Sequence, residues 1–310
     1  MKTIFFTGKG GVGKSTLSAA AAWQLSEQGH KVLIISFDPA HNLGDIFGVR
    51  LKHKVHKVSP TLFLQESDLE RAASDYIRKN TDILTEVYSY TKAFNLDTYF
   101  KVLRYAPGVE EYAALTALEE VLRNKPDYDI IVFDTPPTGL TLRILALPRI
   151  TMTWIDRLRR IRRGILDKRH TVHNITGTYI ENGLKLPYKL EDDPVTVSLR
   201  DMFNRYVGVA KHLEGPDNEI AVVFNPDFLS LRESQRIFSG LKDLSLRVDV
   251  AFTNKYRDDL EEIAREMETE LFASIDSSPR HMRVTAQPFR KENSYQIETD
   301  LTSLFTASSR

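Results

Sequence analysis

The segment at residues 8–16, GKGGVGKST, constrains the fold of this chain more than any other stretch. It follows the apolar and β-branched residues 4–7 and precedes an alanine-rich helical stretch, and its glycines, Lys14 and Ser15 fit the spacing G-x-x-x-x-G-K-[ST]. Glycines let successive backbone N–H groups turn toward a phosphate without a Cβ clash, and the N-terminus of the following helix adds a favourable dipole. The pattern therefore predicts a strand, a phosphate-binding loop and a helix.

The residue types in this loop indicate which ligand it binds. Lys14 supplies a positive charge for the β- and γ-phosphates, and the Ser15 hydroxyl is a ligand for Mg²⁺. We therefore predict ATP and Mg²⁺ as cofactors. GTP-binding proteins share the loop pattern, and a glycine-rich turn without a ligand is the alternative. The predicted nucleotide contacts are Gly8, Lys9, Gly10, Gly11, Val12, Gly13, Lys14, Ser15 and Thr16.

Composition narrows the classes of partner and metal. Lys plus Arg equals Asp plus Glu at 42 each, so global charge gives no reason to expect a nucleic acid partner. The sequence has no cysteine, which excludes disulfides, cysteine-ligated iron–sulfur clusters and a CxxC zinc site. Its eight histidines show no paired ligand spacing, so Mg²⁺ is the metal we predict and zinc is not expected. No stretch approaches 18 consecutive apolar residues and a strand begins by Lys2, which predicts a cytoplasmic protein.

Two aspartates follow buried-strand patterns elsewhere in the first half of the chain. Residues 31–38, KVLIISFD, end in Asp38, and residues 129–133, DIIVF, are followed by Asp134. The carboxyl ends of parallel strands meet at the edge of the sheet where ligands bind, so both acids are expected near the nucleotide. Asp134 has the Walker B arrangement, in which the carboxylate holds Mg²⁺ directly or through water. For Asp38, capping of the turn at Pro39 is the alternative.

Three segments together resemble one family. KGGVGK at residues 9–14 resembles the deviant Walker A motif of ATPases and GTPases that include MinD, ParA, the arsenical-pump ATPase ArsA and the GET-pathway targeting ATPases. DPAHNLGDIFGV at 38–49 and DTPPTGLTLRILALP at 134–148 resemble switches I and II of the ArsA and GET ATPases in particular. The chain is thus similar to a cysteine-free prokaryotic member of that group. The resemblance implies a doubly wound, mostly parallel α/β P-loop sheet with a helical insertion.

The resemblance also implies roles for single residues. In this family the lysine aligned with Lys9 reaches across a homodimer interface to the partner's nucleotide, and the acid aligned with Asp38 orients the attacking water. Asn254 matches the asparagine that reads the adenine edge, and Pro288 matches a proline of the adenine-side loop. A solvated loop lysine is the alternative for Lys9, and an asparagine ending a strand in a turn is the alternative for Asn254.

The middle of the chain departs from the rest. We predict ATPase-core parts at 1–150 and 218–310, separated by a helical insertion at 151–217 whose basic stretch, 157–169, lies on an amphipathic helix. Only Met152 and Met202 fall in the insertion, which disfavours a methionine-rich groove for a client's transmembrane helix. A cysteine-based arsenite site is absent. The predicted partner is a membrane protein or a protein cargo, and the alternatives are a MinD- or ParA-like switch on a membrane or nucleoid, a non-enzymatic chaperone or adaptor, and a tail-anchored-protein chaperone.

Overall fold

The computed structural model describes residues 1–38, 42–51, 54–67, 71–72, 74, 108–124, 127–177, 180–181, 184–185, 187–273, 275, 278–287 and 293–305. The predicted contact Pro288 lies outside these residues. The sequence also predicts a helix over residues 69–90, most of which lies outside them. The chain forms two compact units, one of residues 1–145 with 212–310 and the other of residues 146–211.

A single mostly parallel sheet forms the centre of the first unit. The strands of the chain are β1 (Lys2–Gly8), β2 (Val32–Ser36), β3 (His56–Lys57), β4 (Leu62–Glu66), β5 (Ile130–Asp134), β6 (Ile180–Glu181), β7 (Leu184–Lys185), β8 (Asn218–Phe224), β9 (Val250–Tyr256) and β10 (Arg280–Thr285). Eight described strands pair in the order β10-β9-β8-β1-β5-β2-β4-β3, and β3 alone among them is antiparallel to its neighbour. Strands β6 and β7 form a separate antiparallel pair.

Seven helices of the described residues accompany the strands. They are α1 (Lys14–Glu27), α2 (Asn42–Phe47), α3 (Val109–Asn124), α4 (Thr138–Thr176), α5 (Pro194–Glu214), α6 (Phe228–Asp243) and α7 (Glu261–Phe272). Helix α1 begins at Lys14, directly after its N-cap Gly13, which adopts a left-handed conformation. Gly29 follows the end of this helix with φ +91, which is typical of a glycine that ends a helix. The predicted α/β fold class is confirmed.

Side chains of β1 alternate between the two faces of the sheet, as the strand period of two requires. Ile4 and Phe6 join the buried cluster beneath α1, whose Ala19 to Ala22 are small enough for close helix–sheet packing. Phe5 stacks instead on Phe133, with 4.4 Å between ring centroids. Both faces of β1 are therefore covered, which explains why its sequence reads as a continuous apolar run.

The strand order places the functional loops at one edge. Strands β5, β2 and β4 lie on one side of β1, whereas β8, β9 and β10 lie on the other, so the winding direction reverses beside β1. In open parallel sheets such a reversal leaves a crevice at the carboxyl ends of the strands. The loop after β1 occupies that position.

Helix α4 is longer than the sequence suggested. The pattern of apolar residues changes at Thr151, where the predicted insertion begins, but α4 runs without a break from Thr138 through Pro148 to Thr176. In the second unit, Arg162 of α4 forms two hydrogen bonds of 3.0 and 2.6 Å with the buried carboxylate of Asp193. Asp193 also accepts the N–H of Thr196 and thereby caps the start of α5. None of the helices within the described residues is long and apolar enough to cross a bilayer.

Candidate functional site

The loop after β1 is held in place by close backbone and side-chain contacts. A Cβ atom at Gly8 would lie 2.2 Å from the carbonyl oxygen of Val223, and a Cβ atom at Gly13 would lie 2.3 Å from Nδ2 of Asn254. At Gly8 the obstacle is backbone, which cannot move aside. At Gly13 the obstacle is the end of the Asn254 side chain, and the left-handed φ of +96 disfavours any residue other than glycine as well. The side chain of Val12 is buried in the core beneath α1, so the loop can present only backbone at that residue. Two of the glycines in the predicted motif are therefore required by sterics.

Lys14 lies at the first turn of α1 and is buried. Its ammonium donates to the carbonyl of Lys9 at 3.2 Å, which folds the side chain back over the loop. Burial lowers the pKa of Lys14, while the negative charges of Asp134 and Asp38 raise it. The structure thus brings together three groups that were predicted from separate segments of the sequence.

Asp134 ends β5 and is completely buried. It pairs with Phe6 of β1 and with Ser36 of β2, which places its carboxylate between the glycine-rich loop and the end of β2. Burial raises the pKa of Asp134 to about 6, although a hydrogen bond from Ser15 and the charge of Lys14 act in the opposite direction. A carboxylate held at such a desolvation cost, beside a loop lysine, is typical of a functional site.

Ser36 is a site residue that the sequence analysis missed. Its hydroxyl donates to Oδ2 of Asp134 at 3.3 Å and accepts the backbone N–H of Asp38 at 3.2 Å. The sequence signal was available, because Ser36 is the polar residue at the end of the buried run in β2. A serine in such a run has no packing advantage over alanine or valine, so a polar partner explains it.

The loop opens onto a pocket of about 840 Å³. Asp38 follows β2, Asp45 lies on α2 and Lys255 lies on β9, so the pocket is lined from both sides of β1. The volume is in the range of small-molecule and cofactor sites. Its lining residues are Gly10, Gly11, Gly13, Lys14, Ser15, Thr16, Asp38, Asn42, Asp45, Ile46, Lys255 and Ser294.

Two consecutive residues of β9 contact the loop. Nδ2 of Asn254 donates to the carbonyl of Val12 at 2.7 Å, and Nζ of Lys255 donates to the carbonyl of Gly11 at 2.8 Å. Asn254 is buried beneath the loop and does not belong to the pocket lining described above. Its role toward adenine stays a prediction, whereas Lys255 is a pocket residue that the sequence analysis did not single out.

The residues present fit a magnesium ion. Within the described part of the chain, Oδ1 of Asp134 is buried and has no hydrogen-bond partner, so one oxygen of a costly buried carboxylate is left to a ligand. The Ser15 hydroxyl lies beside this carboxylate and hydrogen-bonds to it. Hydroxyl and carboxylate oxygens are the hard ligands that Mg²⁺ prefers, together with phosphate oxygens and water.

Comparison with known families identifies the group of P-loop proteins to which this chain is related. The family model described as anion-transporting ATPase matches residues 1–297, which is nearly the whole chain. The chain belongs to the anion-transporting ATPase family. Membership confirms the resemblance to the ArsA and GET ATPases.

Individual relatives in this family match large parts of the chain. An Aquifex aeolicus protein whose name assigns it to the arsenical pump-driving ATPases is 31% identical over 268 residues, 82% of this chain and 63% of its own length. Another from the same organism, named in the same way, is 28% identical over 298 residues, 94% of each chain. An ATPase ASNA1 homologue of Cryptosporidium parvum is 30% identical over 247 residues, 79% of this chain and 63% of its own length. Because the match spans less than two thirds of the first and third relatives, the activities of those whole proteins come to this chain only as proposals.

Proposed function

We propose that the chain binds ATP with Mg²⁺ at the carboxyl edge of its sheet and hydrolyses the nucleotide to ADP and phosphate. The observation that carries the proposal is the convergence of Lys14, Asp134 and Asp38 around the glycine-rich loop. Phosphoryl transfer depends mainly on positioning and on neutralising charge, and this arrangement supplies both.

The loop would bind the phosphates through its backbone. The N–H groups of residues 10–15 cradle the phosphate oxygens, and the ammonium of Lys14 neutralises them. Because Lys14 is buried and donates to a loop carbonyl, its charge is desolvated and already oriented before a nucleotide binds. Gly8, Val12 and Thr16 complete the loop, the first two by fixing its path against β8 and the core.

Ser15 and Asp134 would hold the magnesium ion. When bound, Mg²⁺ neutralises negative charge on the β- and γ-phosphate oxygens. Ser36 positions the Asp134 carboxylate through its hydroxyl and, through the same oxygen, the backbone of Asp38. Asp38 would then orient the attacking water from the β2 side of the pocket.

Two substitutions separate binding from chemistry. We expect Lys14→Ala to abolish nucleotide binding, because it removes the only buried ammonium found at the described part of the site. We expect Asp38→Asn to bind ATP at about the wild-type affinity and to hydrolyse it at least about 100-fold more slowly. Calorimetric titration and phosphate release measure the two effects, with the exposed Asp243→Asn as a control. Hydrolysis at the wild-type rate by the Asp38 variant would refute its assigned role.

We propose further that the active form is a homodimer in which Lys9 acts on the partner's nucleotide. Mixing chains that carry Lys9→Ala with chains that carry Asp38→Asn tests this. If Lys9 acts across the interface, each mixed dimer has one intact site, and random mixing restores about a quarter of wild-type hydrolysis. If Lys9 acts within its own chain, both sites of the mixed dimer are defective and no activity returns.

The base would lie on the β9 side of the pocket. We propose that Asn254 and Pro288 contact the adenine. We also propose that the ATPase core consists of residues 1–150 and 218–310. Competition of unlabelled ATP, GTP and ADP against a fluorescent ATP analogue tests the choice of base. Equal competition by GTP would contradict the proposed preference for adenine.

A second proposal concerns the insertion at 151–217. Helix α4 exposes an apolar stripe, defined as Ile150, Trp154, Leu158, Ile161, Ile165 and Ile175, with spacings of mostly three or four residues. The side chain of Trp154 is 62% exposed, so a large apolar surface faces solvent at this position. We propose that this stripe is where the protein binds a membrane partner or a protein cargo in response to nucleotide.

The double variant Trp154→Ser with Ile161→Ser tests the stripe, with Ile263→Ser as a matched exposed isoleucine on α7. ATP-dependent sedimentation with anionic liposomes or with DNA would favour the MinD- or ParA-like alternative, and capture of a hydrophobic helical peptide would favour the chaperone alternative. The proposal fails if the double variant retains all the partner binding of wild type.

A further inference from the structure

Strand β9 contains a bulge where it meets the phosphate-binding loop. Thr253 pairs with Arg283 of β10, but Tyr256 pairs with Thr285, so Asn254 and Lys255 together oppose one residue of the neighbouring strand. Lys255 adopts a left-handed conformation with φ +54. A left-handed backbone is unfavourable for any residue other than glycine. Such backbone strain persists only where contacts in the surrounding structure hold the residue in that conformation.

The bulge changes where two consecutive side chains point. In a regular strand, successive side chains project to opposite faces of the sheet. Here both Asn254 and Lys255 reach the same loop, at the adjacent carbonyls of Val12 and Gly11. Bulges next to active sites commonly redirect a side chain in this way.

The two contacts fix the direction of two loop amides. The peptide groups between Gly11 and Gly13 are trans, so each carbonyl points opposite to the N–H of the next residue. A donor that holds the Gly11 carbonyl therefore orients the Val12 N–H, and a donor that holds the Val12 carbonyl orients the Gly13 N–H. In a loop rich in glycine, orienting these groups beforehand removes much of the entropy cost of binding a phosphate.

We propose that Lys255 is a positioning residue of the nucleotide site, which holds the Gly11 carbonyl and so keeps the Val12 N–H turned toward the bound phosphate. This inference rests on the proposed binding of ATP. Lys255 acts through the loop backbone and takes no part in the chemical step. Its loss weakens ADP and ATP binding alike, because both nucleotides use the same loop amides.

Lys255→Met tests the proposal, because methionine keeps the length of the apolar stem and removes the ammonium. We expect the Kd for ADP and for ATP to rise by about 3- to 10-fold, the usual effect of losing one partly exposed hydrogen bond. KM rises by a similar factor while kcat stays within about twofold, since binding is lost uniformly. Lys255→Arg, which retains a cationic donor, keeps a Kd within about threefold of wild type.

Lys211→Met is the matched control, because Lys211 is an exposed lysine on α5 outside the pocket. Lys255→Gly is a second variant that removes the ammonium, and glycine adopts the left-handed backbone without strain. It replaces Lys255→Met if that variant does not fold. Hydrogen exchange over residues 8–16 of the nucleotide-free protein gives an independent measurement. We expect faster exchange there in Lys255→Met and no change in Lys211→Met.

The outcomes separate this inference from the proposed function. Three results would overturn the role of Lys255 while ATP binding by wild type stands. They are an unchanged Kd in Lys255→Met, a loss of kcat in that variant at unchanged Kd, and nucleotide binding by Lys255→Arg that is as weak as by Lys255→Met. Wild-type protein that gives no heat with ADP or ATP would overturn the proposed function, and the role of Lys255 with it.

Discussion

Ser36 and Asp134 face each other on β2 and β5, and the serine hydroxyl donates to the buried carboxylate at 3.3 Å. The same hydroxyl accepts the N–H of Asp38. One small side chain therefore connects the residue proposed to hold Mg²⁺ with the residue proposed to orient water. This hydroxyl holds the Asp134 carboxylate and the backbone of Asp38 before a nucleotide binds.

Removing this hydroxyl should weaken the metal site. In Ser36→Ala we expect the Mg²⁺ concentration for half-maximal hydrolysis to rise about 10-fold, a typical effect of losing a group that orients a metal ligand. Steady-state rates over a Mg²⁺ titration measure the change. Ser234→Ala is the control, because Ser234 is equally buried but lies in α6. An unchanged Mg²⁺ dependence would show that Asp134 is positioned without Ser36.

The raised pKa of Asp134 predicts that this residue destabilises the nucleotide-free protein. The folded pKa of about 6 lies above the value of 3.8 for an unperturbed aspartate. The folded state therefore binds the proton more tightly, and the free energy of unfolding falls as pH rises from about 4 to 6 and then levels off. Near pH 7.5, the midpoint temperature of thermal unfolding should therefore be roughly 2–5 °C higher in Asp134→Asn than in wild type.

Two further measurements check this interpretation of Asp134. Near pH 4 the wild-type carboxyl is already neutral in the folded state, so the variant and wild type should unfold at similar temperatures. Addition of Mg²⁺ and ATP should stabilise wild type and leave Asp134→Asn almost unchanged. A variant that is less stable than wild type at neutral pH would contradict the predicted desolvation cost.

The contact between Gly13 and Asn254 predicts a steric requirement. An alanine Cβ at position 13 would lie 2.3 Å from Nδ2 of Asn254, and the residue has φ +96. Gly13→Ala should therefore displace the loop and reduce ATP binding more than about 100-fold, as measured by calorimetry. Gly208→Ala is the control, since Gly208 lies within α5 with open space around it, and it should stabilise the protein by about 0.5–1 kcal/mol.

The ion pair between Arg162 and Asp193 predicts a large effect in the second unit. Burial alone would raise the pKa of Asp193, but hydrogen bonds from Arg162 and Thr196 outweigh it and hold the pKa at about 2. Arg162→Met would leave a buried carboxylate without its cation, which costs about 3–5 kcal/mol. Chemical denaturation of the full chain, monitored by hydrogen exchange in residues 194–211, measures the loss of unfolding free energy.

Arg160→Met is the matched comparison for this ion pair. Arg160 pairs with Asp156 at 2.7 Å, but its side chain is 80% exposed. A surface pair of this kind contributes about 0–1 kcal/mol, so the variant should be nearly as stable as wild type. Equal destabilisation by the two variants would mean that burial does not determine the strength of these pairs.

Much of the first unit was predictable from local patterns. The buried runs that became β1, β2, β5, β8 and β9 are continuous in sequence, and the start and stop glycines of α1 mark a strand, loop and helix without any reference to distant residues. Helix α4 is the exception, because neither its length nor its passage through Pro148 is visible in a periodicity that changes at Thr151. Packing along a long helix can outweigh the local cost of one proline, and no sequence window measures that packing.

The sequence by itself predicted the glycine-rich loop, the two aspartates and the family, because each depends on residue types at fixed spacing along the chain. Only the tertiary structure decided that Ser36 joins those aspartates and that Asn254 and Lys255 hold the loop from β9. These contacts connect residues up to 244 positions apart, and they exist because parallel strands bring their carboxyl ends to one edge. A bulge then turns two neighbouring side chains toward the same loop, which no pattern of residue types along β9 could indicate.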